Sequence, residues 1–165
     1  MKSKIIFLII SFLYVSAVLA ESDKNLQQIQ LKTIGTSTFY VDSEIEGYGQ
    51  ASLLVDTGSG YSTISETTLS QLRDTGDAVY LKKLEGVMAN GSKMIVPVYR
   101  ISSVVLANKC LIRDIEVAVF PAGTREILGL SALRKVTPFT FSLTPPSITL
   151  SNCEAVSAKL ESGNF

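Results

Sequence analysis

The sequence predicts an all-β domain with one or two short helices. Short runs rich in Val, Ile and Phe recur from Thr36 to Leu150, and turn residues separate them every eight to twelve residues or so, as in a sandwich or barrel. The dipeptide Asn90-Gly91 marks a hairpin, because both residues tolerate the positive φ of a tight turn. The chain of 165 residues is 46% hydrophobic and 18% charged, which suits one folded domain with a core.

The first predicted strands lead directly to a carboxylate. A run from Phe39 to Ile45 is followed by a turn at residues 47–49. The next strand, Ala51–Val55, is compact and apolar, and it stops at Asp56. The pattern therefore predicts a buried strand that carries an acidic side chain at its tip.

A short helix should follow this strand. Ser65 is a suitable N-cap, Leu69 and Leu72 lie three residues apart on one face, and Gly76 is a suitable end. Strand patterns then resume, and Pro97 within one of them indicates an edge position or a bulge. The further predicted strands are Val79–Leu84, Met94–Leu106, Leu111–Phe120, Phe139–Leu143 and Ser147–Leu150, with a second short helix over Ser131–Lys135.

The N-terminal segment resembles a secretory signal peptide. Lys2 and Lys4 precede an apolar run, and the run ends in small residues at Ala20, where we expect cleavage. An uncleaved membrane anchor is the alternative, although a spanning helix needs about 20 apolar residues and this run is shorter. We therefore expect an exported protein, periplasmic or secreted. The predicted organisation is a signal peptide at 1–20, a flexible lead-in at 21–35, the domain at 36–151 and a polar tail at 152–165.

Composition excludes several classes of function. The sequence has no histidine, so neither a Ser-His-Asp nor a Cys-His catalytic system can form, and we expect no metal site and no cofactor. Its 15 basic and 15 acidic residues balance, which does not favour a nucleic-acid partner. Export would allow a disulfide between Cys110 and Cys153, and two free buried thiols remain the alternative.

The stretch around Asp56 has the features of a catalytic loop. Thr57 is small and carries a hydroxyl that can tie the loop down. Gly58 allows a tight turn and leaves room beside the carboxylate. Ser59 can donate a hydrogen bond to that carboxylate and hold its orientation. The expected catalytic residue is Asp56, supported by Thr57, Gly58 and Ser59.

A second Asp-Thr-Gly, at Asp74–Gly76, offers an internal comparison. It lies at the end of the predicted helix, where Gly76 has the position of a C-cap. Only 18 residues separate Asp74 from Asp56 (74 − 56), too few for a second lobe with its own strands. We therefore expect Asp74 to have no catalytic role.

Taken in order, these motifs resemble those of the retropepsin-like aspartic proteases, in particular bacterial exported members with a single lobe. The resemblance runs from about Thr36 to Leu150. Besides the catalytic loop and the strand Ile115–Val117, it rests on two segments: a flap-like hairpin at Met88, Ala89, Asn90 and Gly91, and a hydrophobic pair before glycine at Ile127, Leu128 and Gly129. Two departures are Ser59, where bacterial relatives often have alanine, and Ala132, where they often have an aromatic residue.

The resemblance implies one lobe of the acid protease fold, a closed β-barrel or sandwich. Residues 127–129 would form a loop under the catalytic aspartate. One chain supplies one such aspartate, so a homodimer would be needed to build the site. Two carboxylates about 3 Å apart share one proton and activate a water against an extended peptide or protein substrate. The flap of each subunit would close over this substrate.

Two other interpretations stay open at this point. The same fold could serve as a non-catalytic peptide-binding or assembly module, because a fold does not fix its function. A β-sandwich adhesion or envelope protein could carry an Asp-Thr-Gly by chance. Cleavage of an unstructured protein at acid pH, lost on Asp56→Asn, would separate all three. A membrane partner is expected only if the N-terminal segment is retained.

Overall fold

The computed structural model describes residues 26–35, 37–87 and 91–156. The predicted signal peptide therefore lies outside the described residues, as do residues 157–165 of the predicted tail. The strands are β1 (Gln27–Gln30), β2 (Lys32–Ile34), β3 (Thr38–Ile45), β4 (Gly49–Val55), β5 (Ser62–Ser65), β6 (Ala78–Val87), β7 (Lys93–Leu106), β8 (Cys110–Phe120), β9 (Ile127–Leu128), β10 (Phe139–Leu143), β11 (Pro146–Leu150) and β12 (Glu154–Ala155). The helices are α1 (Glu66–Thr75) and α2 (Leu130–Leu133), and a 3-10 turn (Arg134–Val136) follows α2.

The main sheet closes into a barrel, which confirms the predicted fold class. It has the order β12-β8-β5-β9-β4-β3-β7-β6, with β2 attached to β3. A further pairing between β7 and β8 joins distant members of this order, so β8, β5, β9, β4, β3 and β7 form a ring. Alternating side chains of these strands fill the barrel, with Val41, Ile45, Ile101, Ile115 and Leu128 each at most 1% exposed.

The expectation of a flexible lead-in at 21–35 needs correction. Residues 27–30 form β1 and pair with β11, and residues 32–34 form β2 and pair with β3. Ile29 is fully buried within β1, although polar glutamines surround it. Residues 27–30 are ordered because β1 completes a three-stranded sheet of order β1-β11-β10, which packs beside the barrel core.

The start of the predicted polar tail is also part of the fold. Cys110 and Cys153 form a disulfide, so the first of the two interpretations of these cysteines is correct. Residues 154–155 form β12, which pairs with the start of β8. The Arg113 side chain adds two hydrogen bonds, from Nε and Nη2 to the Glu154 carboxylate, at 3.0 and 3.1 Å. The disulfide and the Arg113–Glu154 contact thus hold residues 153–155 in the fold, although their polar composition predicts a flexible tail.

Helix α1 confirms that the second Asp-Thr-Gly ends a helix with Gly76 as its C-cap, whereas the absence of a catalytic role for Asp74 stays a prediction. The Ser65 hydroxyl caps its N-terminus by accepting a hydrogen bond from the Thr68 amide. Gly76 ends it with φ 82°, and the amides of Gly76 and Asp77 donate to carbonyls of the last turn. This is a glycine-ended helix C-terminus, and Asp74 lies exposed on it rather than at the tip of a strand.

The hairpin of β6 and β7 extends beyond the barrel. Strand β7 pairs with β6 from Lys93 onward, but its pairing with β8 begins only at Val98. Of the described strands, Pro97 therefore pairs with β6 alone, which confirms its predicted edge position. Within the described part of the chain, no helix is long and apolar enough to cross a membrane.

Candidate active site

Asp56 lies at the point where β4 leaves the barrel. Strand β9 runs parallel to the end of β4, with Val55 opposite Leu128. The Asp56 amide donates to the Leu128 carbonyl at 3.2 Å, and the Leu54 amide donates to the Glu126 carbonyl at 2.9 Å. The backbone of the aspartate is therefore fixed by the predicted Ile-Leu-Gly segment, and its side chain is half-buried.

The Asp56 carboxylate is oriented by the loop that follows it. The Gly58 amide donates to Asp56 Oδ1 at 2.8 Å. The Ser59 hydroxyl donates instead to the Tyr61 carbonyl, at 2.6 Å, so the expected bond from Ser59 to the carboxylate is wrong. A backbone carbonyl two residues ahead is the partner that this side chain reaches. Thr57 is exposed, and its hydroxyl has no hydrogen-bond partner among the described residues.

Gly129 lets the segment after β9 pass directly beneath the predicted catalytic loop. A Cβ atom at this position would lie 2.6 Å from the Tyr61 carbonyl carbon and 2.9 Å from the Ser62 nitrogen. The contact is to backbone, which cannot rotate away. The Leu130 amide then donates to the Ser59 carbonyl at 2.9 Å. The two loops therefore hold each other through their main chains.

An open cavity lies beside the Asp56 carboxylate. Its volume is about 400 Å³, within the range of small-ligand sites. Polar groups of the loop meet an apolar wall here, and the lining residues are Asp56, Gly58, Ser59, Thr63, Val87, Phe120, Thr124 and Ile127. Val87 belongs to the β6–β7 hairpin, so this hairpin reaches the cavity that contains the aspartate. No cluster of Cys, Asp or Glu in the described residues is arranged to hold a metal ion.

Comparison with known families agrees with this geometry. A family model for the gag-polyprotein putative aspartyl protease matches residues 41–135, more than half of the chain. The chain belongs to the retropepsin-like aspartic protease family. Among solved structures, the retropepsin-like aspartic protease from Rickettsia conorii is similar, with a TM-score of 0.57 at 19% identity over 76% of this chain and 92% of that one. No curated protein sequence gives a significant match.

Two serines form a hydrogen-bond network next to the loop after Asp56 in this retropepsin-like chain. The sequence did not predict this network. Ser131, in α2, accepts a hydrogen bond from the Ser62 amide at 2.8 Å and donates to the Glu116 carbonyl at 2.6 Å. The Ser62 hydroxyl accepts from the Gly129 amide at 3.1 Å. These side chains join the catalytic loop, α2 and β8. The one signal in the sequence for a supporting role of Ser62 and Ser131 is that they follow Asp56 and Gly129 within a few residues.

The predicted flap of the retropepsin-like chain is described only in part. Met88, Ala89 and Asn90 lie outside the described residues, whereas Gly91 has φ 79°, the backbone conformation that a tight turn requires. Val87 and Ile95 flank this tip with side chains 70% and 68% exposed. Val87 lines the cavity that contains Asp56, so its exposed apolar side chain is suited to contact a ligand there.

Gly129→Ala tests the close approach of the two loops. We expect a loss of about 3 kcal/mol in the free energy of unfolding, because a methyl group must displace backbone on both sides. Gly60→Ala is the matched control, since a Cβ there meets nothing within 4 Å and the backbone needs no positive φ. Denaturant unfolding of both variants gives the comparison. Equal stability of the two would contradict the packing described here.

Proposed function

We propose that this chain is an aspartic endopeptidase that works as a homodimer, each subunit supplying Asp56. The observation that carries the proposal is the placement of Asp56. Its backbone is fixed by β9, its carboxylate is oriented by the Gly58 amide, and it faces a cavity open to a ligand. A binding module has no need for a carboxylate held in this way.

The proposed chemistry needs two such carboxylates close together. Two carboxylates that face each other share one proton, because both cannot ionise at that distance. The charged carboxylate removes a proton from a water molecule, whose oxygen forms a bond to the scissile carbonyl carbon. The protonated carboxylate gives its proton to the carbonyl oxygen. The carboxyl that took its proton from water then gives it to the amine nitrogen, and the other carboxylate takes a proton from a hydroxyl of the tetrahedral diol. The C–N bond breaks, the pair again holds one proton, and no covalent intermediate with the enzyme forms.

The surface around Asp56 supports the proposed pairing of subunits. Thr57 and Gly58 are exposed although they adjoin a half-buried carboxylate. Among the described residues, Asp56 is the one aspartate at the tip of a barrel strand with an Ile-Leu-Gly segment beneath it. A second copy, related by two-fold symmetry, would bring the same loop to the same place.

The proposed location is an exported compartment, periplasmic or secreted. The motive is the signal-like N-terminal segment, with lysines before an apolar run. The Cys110–Cys153 disulfide supports the proposal, because disulfides persist in oxidising compartments. N-terminal sequencing of the protein recovered from the exported fraction would test cleavage after Ala20. Recovery of intact chains in the membrane fraction would contradict it.

The function is tested by incubating the protein with an unstructured polypeptide at mildly acid pH. Mass spectrometry of the fragments should show internal cleavage sites, as expected for an endopeptidase. The disulfide should be kept oxidised throughout. Binding of the polypeptide without any fragment would support the binding module instead.

The flap is tested by Gly91→Val. A β-branched residue resists the positive φ that this position requires, so closure over the peptide should be impaired. Turnover should fall by about tenfold, with only a small change in melting temperature. Gly86→Val is the control on the same hairpin, because its φ is not positive and a Cβ meets only Met94 O, at 3.8 Å. Similar turnover in the two variants would exclude a role for the turn.

A further inference from the structure

A second and larger cavity borders the catalytic loop. Its volume is about 660 Å³. Gly60 and Tyr61 line it, whereas Gly58 and Ser59 line the cavity at Asp56. Consecutive residues of one loop therefore border two cavities. Gly58 and Tyr61 are at most about 11 Å apart along the chain, so an extended peptide bound at Asp56 would reach the second cavity within a few residues.

Three cations line this second cavity without a carboxylate partner among the described residues. They are Arg100 of β7 and the two residues Arg134 and Lys135 that follow α2, and all three are exposed. The ion pairs formed among the described residues involve four other cations. Because none of the three is neutralised locally, their charges act on whatever enters the cavity.

The two carboxylates of the cavity already lie near other cations. Glu116 Oε2 is 3.6 Å from Lys82 Nζ. Asp114 lies near Arg113, whose pKa is raised first by its hydrogen bond with Glu154 and to a smaller extent by the charge of Asp114. If the negative charge of Asp114 is subtracted from the three positive charges, the net charge of the cavity is still positive.

We infer that this cavity, here called the basic cavity, binds an acidic segment of the polypeptide substrate outside the bond that is cleaved. Guanidinium groups bind carboxylates through two parallel hydrogen bonds, and the basic cavity offers two of them together with one ammonium group. The continuity of the loop from Asp56 to Tyr61 favours a segment of the same peptide. The assignment to a substrate rests on the proposed function.

Direct binding tests the inference without requiring catalysis. The Asp56→Asn protein is titrated against a labelled peptide rich in glutamate and against the same peptide with glutamine, at low and high salt. The glutamate peptide should bind about tenfold more tightly at low salt, and the preference should shrink at high salt because exposed charges are screened. Equal binding of both peptides at low salt would overturn the inference.

Charge variants place the effect in the basic cavity. Arg134→Glu with Lys135→Glu should abolish the preference for glutamate, and Arg134→Gln with Lys135→Gln should reduce it. Lys83→Glu is the matched control, because Lys83 is an exposed cation of β6 that does not line the cavity. Loss of the preference in the control alone, or in all variants alike, would contradict this location. Inorganic phosphate at matched ionic strength should not displace the peptide, and displacement would assign the cavity to a small anion instead.

Kinetics separate this inference from the proposed function. In the wild-type protein, a quenched peptide with glutamates beyond the cleaved bond should have the higher kcat/KM, through a lower KM. The ratio of kcat/KM between the glutamate and glutamine peptides should fall toward one in the charge-reversed variant. Preferential binding by Asp56→Asn, with no cleavage by the wild type, would contradict the protease and still support the basic cavity as a site for acidic peptides.

Discussion

Asp56→Asn should abolish peptide cleavage and leave the fold unchanged. The Gly58 amide donates to Asp56 Oδ1, and an amide oxygen can accept the same hydrogen bond, so the loop should keep its conformation. The side chain then has no carboxylate to take a proton from water or give one to the carbonyl oxygen. Because the proposed homodimer would lose both of its carboxylates, we expect kcat to fall by about 10⁴-fold or more.

Asp74→Asn is the internal control for this prediction. Asp74 belongs to the same tripeptide, Asp-Thr-Gly, but lies exposed at the C-terminal end of α1. Removing a negative charge there should leave stability equal or slightly higher, since a helix C-terminus disfavours anions. Hydrolysis of a quenched peptide and thermal unfolding should be measured for both variants. If Asp74→Asn were inactive and Asp56→Asn active, Asp74 and not Asp56 would be the catalytic residue.

Local signals in the sequence were sufficient to predict β4, the strand that ends at Asp56, and α1. An apolar run that stops at Asp56 predicts a buried strand with a carboxylate at its tip, and β4 has this form. Ser65 and Gly76 mark the ends of α1 because capping depends on residues close in sequence. The position of β9 beneath Asp56 came from the family resemblance, since no local pattern pairs residues 127–128 with 54–55.

The elements that the sequence missed depend on distant partners. Gln27 pairs with Leu150 at the other end of the domain, and only Ile29 of β1 is buried, so the segment has no apolar pattern of its own. Strand β5 (Ser62–Ser65) is buried throughout but mostly hydroxylic. It is tolerated in the core because its side chains bond to Ser131, to the Arg125 carbonyl and to Thr68.

The orientation of Ser59 shows a different limit. Ser59 follows Asp56 by three residues, and a hydrogen bond from its hydroxyl to the carboxylate is chemically reasonable. The turn at Gly58 instead places the Tyr61 carbonyl within reach of the Ser59 hydroxyl. Choosing between two acceptors in one short loop requires the backbone path, which the order of residues does not contain.

The second large effect expected is a dependence of activity on dimer formation. Activity per chain should rise with protein concentration and reach a plateau, because in the proposed homodimer a monomer would contain half of the site, and association follows mass action. Sedimentation should show the dimer over the same range of concentrations. The pH dependence should be bell-shaped and highest on the acid side of neutrality, since the proposed mechanism works in the form with one shared proton.

Mixing wild-type and Asp56→Asn chains distinguishes a shared site from two independent ones. At a fixed total concentration and equal proportions, random pairing makes about a quarter of the dimers wild type on both sides. If one carboxylate from each subunit is needed, activity should fall to about a quarter of the wild-type value. If each chain works alone, activity should fall only to about half, because half of the chains remain intact. A value near one half, with full specific activity at every dilution, would exclude the shared site and require a second carboxylate within one chain.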